Sequence, residues 1–301
     1  MKRILIFLFS LCLLPAQSQL LWQVSGHGLT RPSYLFGTHH LIPVSFLDSV
    51  PGLFRAFNRC DAVVGEMVMN NIDDSEKIMQ ASTLPQGVTM DSLLNAEDYA
   101  LVDAGLRTVL QIGLKELALM KPAAIRTMYE TELYRQHTGF DDDTQSDSYF
   151  QQIAARQGKQ VFGLESVDMQ IALLFGNDDQ KQEALSLVET VSHREEGLQE
   201  IETLNALYKA GEIDRLVKMA QEQGDPLAMA PEEYDRMVDD RNLAWAEQLP
   251  DLMQARPCFI AVGAMHLGGE KGLIQLLKGK GYKVKPVAPH PLKGKKKNSD
   301  K

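Results

Sequence analysis

Cysteine is scarce in this 301-residue chain, which contains three, and no Cys-x-x-Cys pair occurs. This absence argues against zinc fingers and thioredoxin-type redox motifs. Cys12 lies close to the start of the chain, whereas Cys60 and Cys258 each begin an apolar, strand-like run. In an exported protein these last two residues could form one disulfide or remain two buried thiols. The sequence leaves both alternatives open.

Hydrophobic runs long enough to cross a membrane are missing as well. The apolar run over residues 4–14 follows Lys2 and Arg3 and precedes small residues, a pattern typical of a secretory signal peptide. The run is shorter than the roughly 20 apolar residues that span a bilayer, so we expect no stable membrane span. We predict cleavage near Ser18 and an exported, periplasmic or extracellular product.

An excess of basic charge is also absent. The chain has 40 acidic and 31 basic residues and a formal net charge of −9. Five of the lysines lie in the last nine residues, so the rest of the chain is more acidic still. Because an acidic surface repels phosphates, nucleic acid is not an expected partner. We expect a peptide or small-molecule substrate, and the sequence gives no indication of the oligomeric state.

Several familiar catalytic motifs are missing. The chain has no His-Glu-x-x-His helix, no Gly-x-Ser-x-Gly turn and no P-loop. The Gly-rich stretch HLGGEKG lacks the Lys–Ser/Thr pair of nucleotide triphosphatases. Any chemistry must therefore come from another arrangement of residues.

Four short apolar runs, typical of buried strands, each end in a glycine followed by an imidazole or a carboxylate. They are SYLFGTHH (residues 33–40), CDAVVGEM (60–67), KQVFGLES (159–166) and CFIAVGAMHLGG (258–269). The order is Gly-x-x-His, Gly-Glu, Gly-x-Glu and Gly-x-x-His. This order predicts two half-units that each donate one imidazole and one carboxylate. Ligands of α/β proteins bind at the carboxyl ends of strands, where these groups would lie.

Imidazoles and carboxylates together suit a hard or borderline divalent ion. His40, His266, Glu66 and Glu165 are therefore the predicted metal ligands, and Glu66 is also a predicted catalytic residue that activates water. The alternative is a structural role for each histidine and a solvated position for each glutamate. His39 is assigned to the opposite face, because neighbours on an extended chain point apart.

Arg241 is a charge on the apolar face of a predicted helix, EEYDRMVDDRNLAWAEQL (residues 232–249). A charge in this position is costly unless it meets an anion. One alternative is pairing with a structural carboxylate. The other is a catalytic role, in which Arg241 stabilises a developing oxyanion or a carboxylate of the site.

The sequence between the strands is typical of helices. Asn95 is a predicted N-cap, and Pro122 lies near the predicted first turn of another helix. Asp147 is predicted to cap the helix that leads to the third strand. Residues 180–249 are predicted to be almost entirely helical.

Five motifs in order, LFGTHH, VVGE, GLES, RNLAW and AVGAMHLGGEKGL, resemble the TraB/GumN family, which includes the animal Tiki proteases, over about residues 22–287. The resemblance implies an erythromycin-esterase/ChaN-like α/β fold: a central mixed sheet built from two similar halves with helical insertions. The expected organisation is a signal peptide (1–18), one α/β domain (19–290) with insertions at about 71–145 and 180–250, and a basic disordered tail (291–301).

For Tiki-like members the resemblance implies metal-dependent peptide hydrolysis, with Mn²⁺ or Co²⁺ favoured and Zn²⁺ as a further candidate. The family motifs correspond here to His40, His266, Glu66 and Arg241, and Glu165 falls in the Leu-Glu motif. At the position of a family Gly–hydrophobic–Asp pattern, Asp147 follows Gln and Ser instead, so the resemblance gives it no role beyond capping.

The sequence thus predicts an exported metal-dependent hydrolase, expected to be a peptidase. Two alternatives remain open. One is a metal-independent esterase-type hydrolase, in which His40 or His266 is a general base oriented by Glu66. The other is a non-catalytic protein that binds a peptide or takes part in signalling.

Overall fold

The computed structural model describes residues 19–69, 72–141, 145–225 and 227–287. The predicted signal peptide and basic tail lie outside these ranges. Within them the chain forms six strands: β1 (Leu21–Ser25), β2 (Ser33–Thr38), β3 (Ala62–Gly65), β4 (Gln160–Gly163), β5 (Cys258–Gly263) and β6 (Lys283–Pro286). Four of these, β2, β3, β4 and β5, are the predicted strands that carry the candidate site.

Thirteen α-helices lie in the described ranges. The first six are α1 (Leu53–Asn58), α2 (Ile72–Ala81), α3 (Met90–Leu93), α4 (Ala96–Val109), α5 (Pro122–Thr138) and α6 (Ser146–Arg156). The remaining seven are α7 (Val167–Phe175), α8 (Gln180–Ser192), α9 (Arg194–Ala210), α10 (Ile213–Gln221), α11 (Pro231–Tyr234), α12 (Asp240–Ala255) and α13 (Leu273–Gly279). A π-helical turn (Asp235–Asp239) joins α11 to α12, and a 3₁₀ turn (Ala264–His266) follows β5.

The strands form one mixed sheet in the order β4-β3-β5-β2-β1-β6, which confirms the predicted α/β class with a central mixed sheet. The four strands β4, β3, β5 and β2 are parallel, and β1 pairs antiparallel with both β2 and β6. Strand β5 therefore lies between β2 and β3, so strands of the two predicted halves alternate. The carboxyl ends of four neighbouring strands meet at one edge.

The main hydrophobic core covers the sheet and contains buried aromatic rings. Phe150 of α6 packs against Phe36 and Phe259, whose strands are neighbours, with ring centroids 5.5 and 4.8 Å away. A second, separate core joins α4, α5 and α8, and includes the fully buried Val102, Tyr129 and Leu187. The helical segments thus have a hydrophobic core of their own beside the sheet.

Local signals placed the helix starts with mixed success. Asn95 caps α4 by accepting hydrogen bonds from the backbone N–H groups of Glu97 and Asp98, and Pro122 opens α5, as predicted. The predicted capping role of Asp147 is wrong. Gln145 occupies the N-cap position of α6, and Asp147 lies in its first turn with its carboxylate bonded elsewhere.

Cys60 and Cys258 are both buried free thiols, which settles the alternative that the sequence left open in favour of unpaired cysteines. Separately, none of the helices in the described ranges has the length and apolar character required to cross a lipid bilayer.

Candidate active site at the carboxyl edge of the sheet

The sheet brings the predicted site residues to one edge. Glu66 directly follows β3, Glu165 follows β4 by two residues, and His40 follows β2 by two residues. His266 ends the 3₁₀ turn after β5. Since these four strands are parallel neighbours, their ends place all four side chains on the same side of the molecule. Arg241 reaches this edge from the start of α12.

Two glycines allow the close approach that the Gly-x-x-His motifs require. A Cβ at Gly37 would lie 3.0 Å from the Cα of Ala264, in the turn that carries His266. A Cβ at Gly263 would lie 3.3 Å from a carboxylate oxygen of Glu66. Without that side chain, the backbone N–H of Gly263 donates a 2.8 Å hydrogen bond to Glu66 Oε1. Neither glycine has a positive φ, so both are explained by close packing.

Glu66 is the centre of the site. Its Oε1 accepts from Gly263, its Oε2 accepts a 2.6 Å hydrogen bond from Arg241 Nη2, and Nε2 of His266 lies 3.8 Å from Oε1. Burial opposes ionisation, but the neighbouring His266 and Arg241 outweigh it and lower the pKa of Glu66 to about 2. Glu66 is thus an anion at neutral pH and a weak base.

Glu165 pairs with Arg241 through both of its oxygens. Arg241 donates from Nε to Oε1 at 2.8 Å and from Nη2 to Oε2 at 3.0 Å. Trp245 donates from its indole nitrogen to Oε1 at 2.9 Å, and Gln170 donates to Oε2 at 2.6 Å. The Glu165 side chain is 3% exposed. Every contact of its carboxylate therefore serves to hold Arg241 and its surroundings.

Arg241 is fully committed within the protein. Nη1 donates to the carbonyl oxygen of Met237 at 3.0 Å and contacts Nε2 of His266 at 3.1 Å. Met237 belongs to the π-helical turn, a feature that is frequent at functional sites. Together with the bonds to Glu66 and Glu165, these contacts use all five N–H groups of the guanidinium. The charge on the apolar face of the helix therefore meets anions, as its burial requires.

His266 is buried and its tautomer follows from its neighbours. Its Nδ1 lies 2.8 Å from Oδ1 of Asn242, an acceptor, so Nδ1 carries the proton and Nε2 is the lone-pair nitrogen. The opposite orientation of the amide would place N–H donors against each other at Arg241. Burial lowers the pKa of His266 to about 4, although Glu66 acts in the opposite direction. The imidazole is therefore neutral near pH 7.

His40 is held from the other side of the site by Asp147. The carboxylate oxygen Oδ2 of Asp147 lies 2.6 Å from Nδ1 of His40, and Oδ1 accepts a hydrogen bond from Thr38. Asp147 is almost buried, whereas the imidazole of His40 is 57% exposed. The charge of Asp147 raises the pKa of His40 well above its ordinary value. Nε2 of His40 has no protein partner among the described residues.

His39 points away from this cluster, as its position on an extended chain predicts. Its ring packs against Tyr134 and Tyr208, with centroids 5.6 and 5.2 Å away, and its Nδ1 accepts from the backbone N–H of Leu41. His39 lines a separate cleft of about 1010 Å³ between α5, α8 and α9. The residues that line this cleft do not include His40, Glu66 or His266.

Three donor groups at the edge are of the type that a divalent ion binds: Nε2 of His40, Nε2 of His266 and the carboxylate of Glu66. Each imidazole has Nδ1 bonded to a polar side chain, Asp147 or Asn242, which is the arrangement that orients ligating histidines. The residues therefore fit an ion in chemical type. Among the described residues, however, no three such side chains are grouped closely enough to hold one. The guanidinium of Arg241 bridges two of the candidate ligands.

The sequence did not place three side chains that complete the site, Asp147, Asn242 and Trp245, among the site residues, and it gave Asp147 only a capping role. Two of them lie in the RNLAW motif, directly after or four residues after Arg241. For Trp245 that motif was the available signal, because i and i+4 residues share a helix face. Helix spacing gave no such signal for Asn242, which is adjacent to Arg241. Asp147 lay at a recognised family position, but its contact with His40 joins residues 107 apart in the sequence.

The protein is of the α/β class, with four parallel strands that lead into two imidazoles and two carboxylates beside a buried arginine. The chain belongs to the TraB/PrgY/gumN family, whose model matches residues 20–286. A curated relative, the metalloprotease TIKI2 of Danio rerio, is 24% identical over 318 residues, which cover 89% of this chain and 61% of the relative. The chain thus spans about three fifths of that relative's length. No solved structure matches the chain.

Proposed function

We propose that this protein is a metal-dependent hydrolase that cleaves peptide bonds. The observation that carries the proposal is the matched pair of imidazoles: Asp147 and Asn242 each engage Nδ1, which leaves Nε2 of each ring as the candidate donor atom. Family membership and the similarity to the metalloprotease TIKI2 support the same chemistry. An erythromycin-esterase/ChaN-like grouping of the fold is part of this proposal.

In this proposal His40, His266 and Glu66 hold a divalent ion, with Mn²⁺ or Co²⁺ favoured over Zn²⁺. When bound, the ion supplies Lewis-acid chemistry that polarises a substrate carbonyl. Glu66 is ionised at neutral pH and supplies negative charge to the site. Glu165 is better described as the residue that positions Arg241 than as a ligand, because its oxygens are occupied. Arg241 supplies positive charge beside the site.

The test is metal binding followed by peptide cleavage. The purified chain is stripped with a chelator and titrated with Mn²⁺, Co²⁺ and Zn²⁺ by calorimetry, and a peptide library is analysed by mass spectrometry. We expect about one equivalent of ion, its loss in His40→Ala and His266→Ala, and cleavage that stops in chelator. His137→Ala is the matched control, because His137 pairs with Glu202 outside the site. Ion content that both site variants retain would contradict the ligand assignment.

A second candidate is a metal-independent hydrolase, favoured by the close His40–Asp147 pair. A carboxylate on Nδ1 orients an imidazole for proton transfer at Nε2. In this case cleavage would persist in strong chelator and disappear in His40→Ala. Peptide binding without any cleaved product would instead favour a non-catalytic binding protein.

The proposal includes export, which the charged start and the apolar run over residues 4–14 support. We expect the mature protein outside the cytoplasm with a new N-terminus near residue 19. Cell fractionation and N-terminal sequencing measure both, and a cytoplasmic protein that keeps Met1 would contradict export.

A further inference from the structure

We infer that Arg241 is an internal cation that competes with a divalent ion for His266 and Glu66 and so sets the metal affinity of the site. The inference rests on the proposed metal-dependent function. It concerns Arg241 as an affinity-determining residue, with Glu165 as the residue that retains the guanidinium when it is displaced.

The competition follows first from the single lone pair on His266. Since Asn242 Oδ1 accepts the proton of Nδ1 at 2.8 Å, Nε2 is the acceptor nitrogen. Arg241 Nη1 lies 3.1 Å from this atom and donates to it. One imidazole lone pair cannot accept an N–H and ligate an ion at once. Ion binding at His266 therefore requires this hydrogen bond to break.

The same guanidinium also competes at the carboxylate. Arg241 Nη2 donates to Glu66 Oε2 at 2.6 Å, while Oε1 is bonded to the backbone of Gly263. Both oxygens of Glu66 therefore have a partner inside the protein. An ion would share this carboxylate with a positive charge in hydrogen-bond contact, which is unfavourable in a site shielded from water.

Glu165 gives the displaced guanidinium a place to remain. It binds the Nε and Nη2 edge of Arg241, which is the edge opposite the contact with His266. Trp245 and Gln170 fix the carboxylate in that orientation. The ring of Trp245 also lies beneath the guanidinium, 4.7 Å from ring centroid to Cζ. The contact with His266 can therefore be lost while Arg241 keeps its pairing with Glu165.

Breaking the hydrogen bond between Arg241 and His266 has a consequence for catalysis. While Arg241 contacts His266, all five of its N–H groups donate within the protein, so none is available to a substrate oxygen. Displacement from His266 frees one N–H of Nη1 at the edge of the site. The arginine would then be able to donate to substrate only in the ion-bound state.

The experiment measures Mn²⁺ and Zn²⁺ dissociation constants of the chain by calorimetry, with the Arg241→Met variant beside the unmodified protein. Methionine keeps most of the length of arginine and removes the charge. We expect binding to tighten by about tenfold or more, together with a lower melting temperature of the metal-free protein, because Glu165 loses its partner. A general loosening of the site would lower both the metal affinity and the melting temperature, whereas competition by Arg241 predicts a higher affinity with a lower melting temperature.

Arg236→Met is the matched control, since Arg236 lies in the preceding π-helical turn, is exposed and donates to the carbonyl of Leu173. Its dissociation constants should not change. If Arg241→Met folds poorly because Glu165 is left unpaired, the double variant Arg241→Met/Glu165→Gln replaces that carboxylate with a neutral amide. The double variant should bind the ion more tightly than the unmodified protein, as the single variant does. Adding His266→Ala to Arg241→Met should abolish the gain.

Equal or weaker binding in Arg241→Met and in the double variant would overturn the inference and leave the metal site intact. A gain that persists without His266 would also overturn it. Absence of ion binding in the unmodified chain and in every variant would overturn both the inference and the metal-dependent function.

Discussion

Each chemical group of the site is oriented by a neighbour that is itself buried. Asp147 fixes His40, Asn242 fixes His266, and Glu165 fixes Arg241. The two imidazoles and the guanidinium are therefore each held in one orientation.

The exchange Asp147→Asn tests this at the residue scale. The amide can still accept from Thr38, but it presents an N–H to Nδ1 of His40 and forces the proton to Nε2. We expect metal affinity to fall by about 10- to 100-fold. The pKa of His40 in the metal-free protein should fall toward the ordinary 6.5, as followed by NMR titration of its ring protons. Glu202→Gln, which acts on the exposed pair with His137, should leave both quantities unchanged.

The same pair predicts the sign of a pH effect on stability. The pKa of His40 is raised from 6.5 to about 9 by Asp147, so the folded state binds the proton more tightly than the unfolded state. The stabilisation is complete below about pH 6.5 and is lost as the pH rises through 9. Because the imidazole is 57% exposed, its size should be about 1 kcal/mol. The free energies of unfolding of the wild type and of Asp147→Asn are measured by denaturant titration at pH 6 and pH 10. An equal difference between the two proteins at both pH values would contradict this prediction.

At the scale of elements, the Gly-x-x-His motif combines a strand, a close contact and a turn. The glycine of β2 faces the 3₁₀ turn that follows β5, and the glycine of β5 leaves room for Glu66. The sequence identified these strands and their order of chemical groups. The structure adds the reason for both glycines, which is close packing between neighbouring elements.

Gly37→Ala is the prediction at this scale. The new Cβ would lie 3.0 Å from Ala264 Cα and from Leu267 Cδ1, so β2 and the turn must separate. We expect a loss of about 1–3 kcal/mol in the free energy of unfolding, measured by chemical denaturation, and weaker metal binding because His266 shifts. Gly197→Ala in α9 is the control: nothing lies within 4 Å of its Cβ, and alanine should stabilise the helix by about 0.5–1 kcal/mol. Equal stabilities of the two variants would contradict the packing argument.

At the scale of the whole molecule, the sheet order decides which groups meet. Strands from the two halves alternate, because β5 pairs with β2 on one side and with β3 on the other. This places Glu66 and His266 side by side, although they are 200 residues apart in the chain. The helical segments form their own core around α4, α5 and α8, and they leave the active edge to α6 and α12.

The sequence by itself determined the α/β class, the four strands that end in chemical groups, and the candidates His40, His266, Glu66 and Arg241. These features are local, since they depend on apolar periodicity, on glycines and on the residue type that follows each strand. Only the tertiary structure decided that Asp147 orients His40, that Glu165 holds Arg241, and that Arg241 bridges Glu66 and His266. These relations join residues that are distant in the chain. A hydrogen bond depends on the direction of two side chains in space, which spacing along a sequence does not specify.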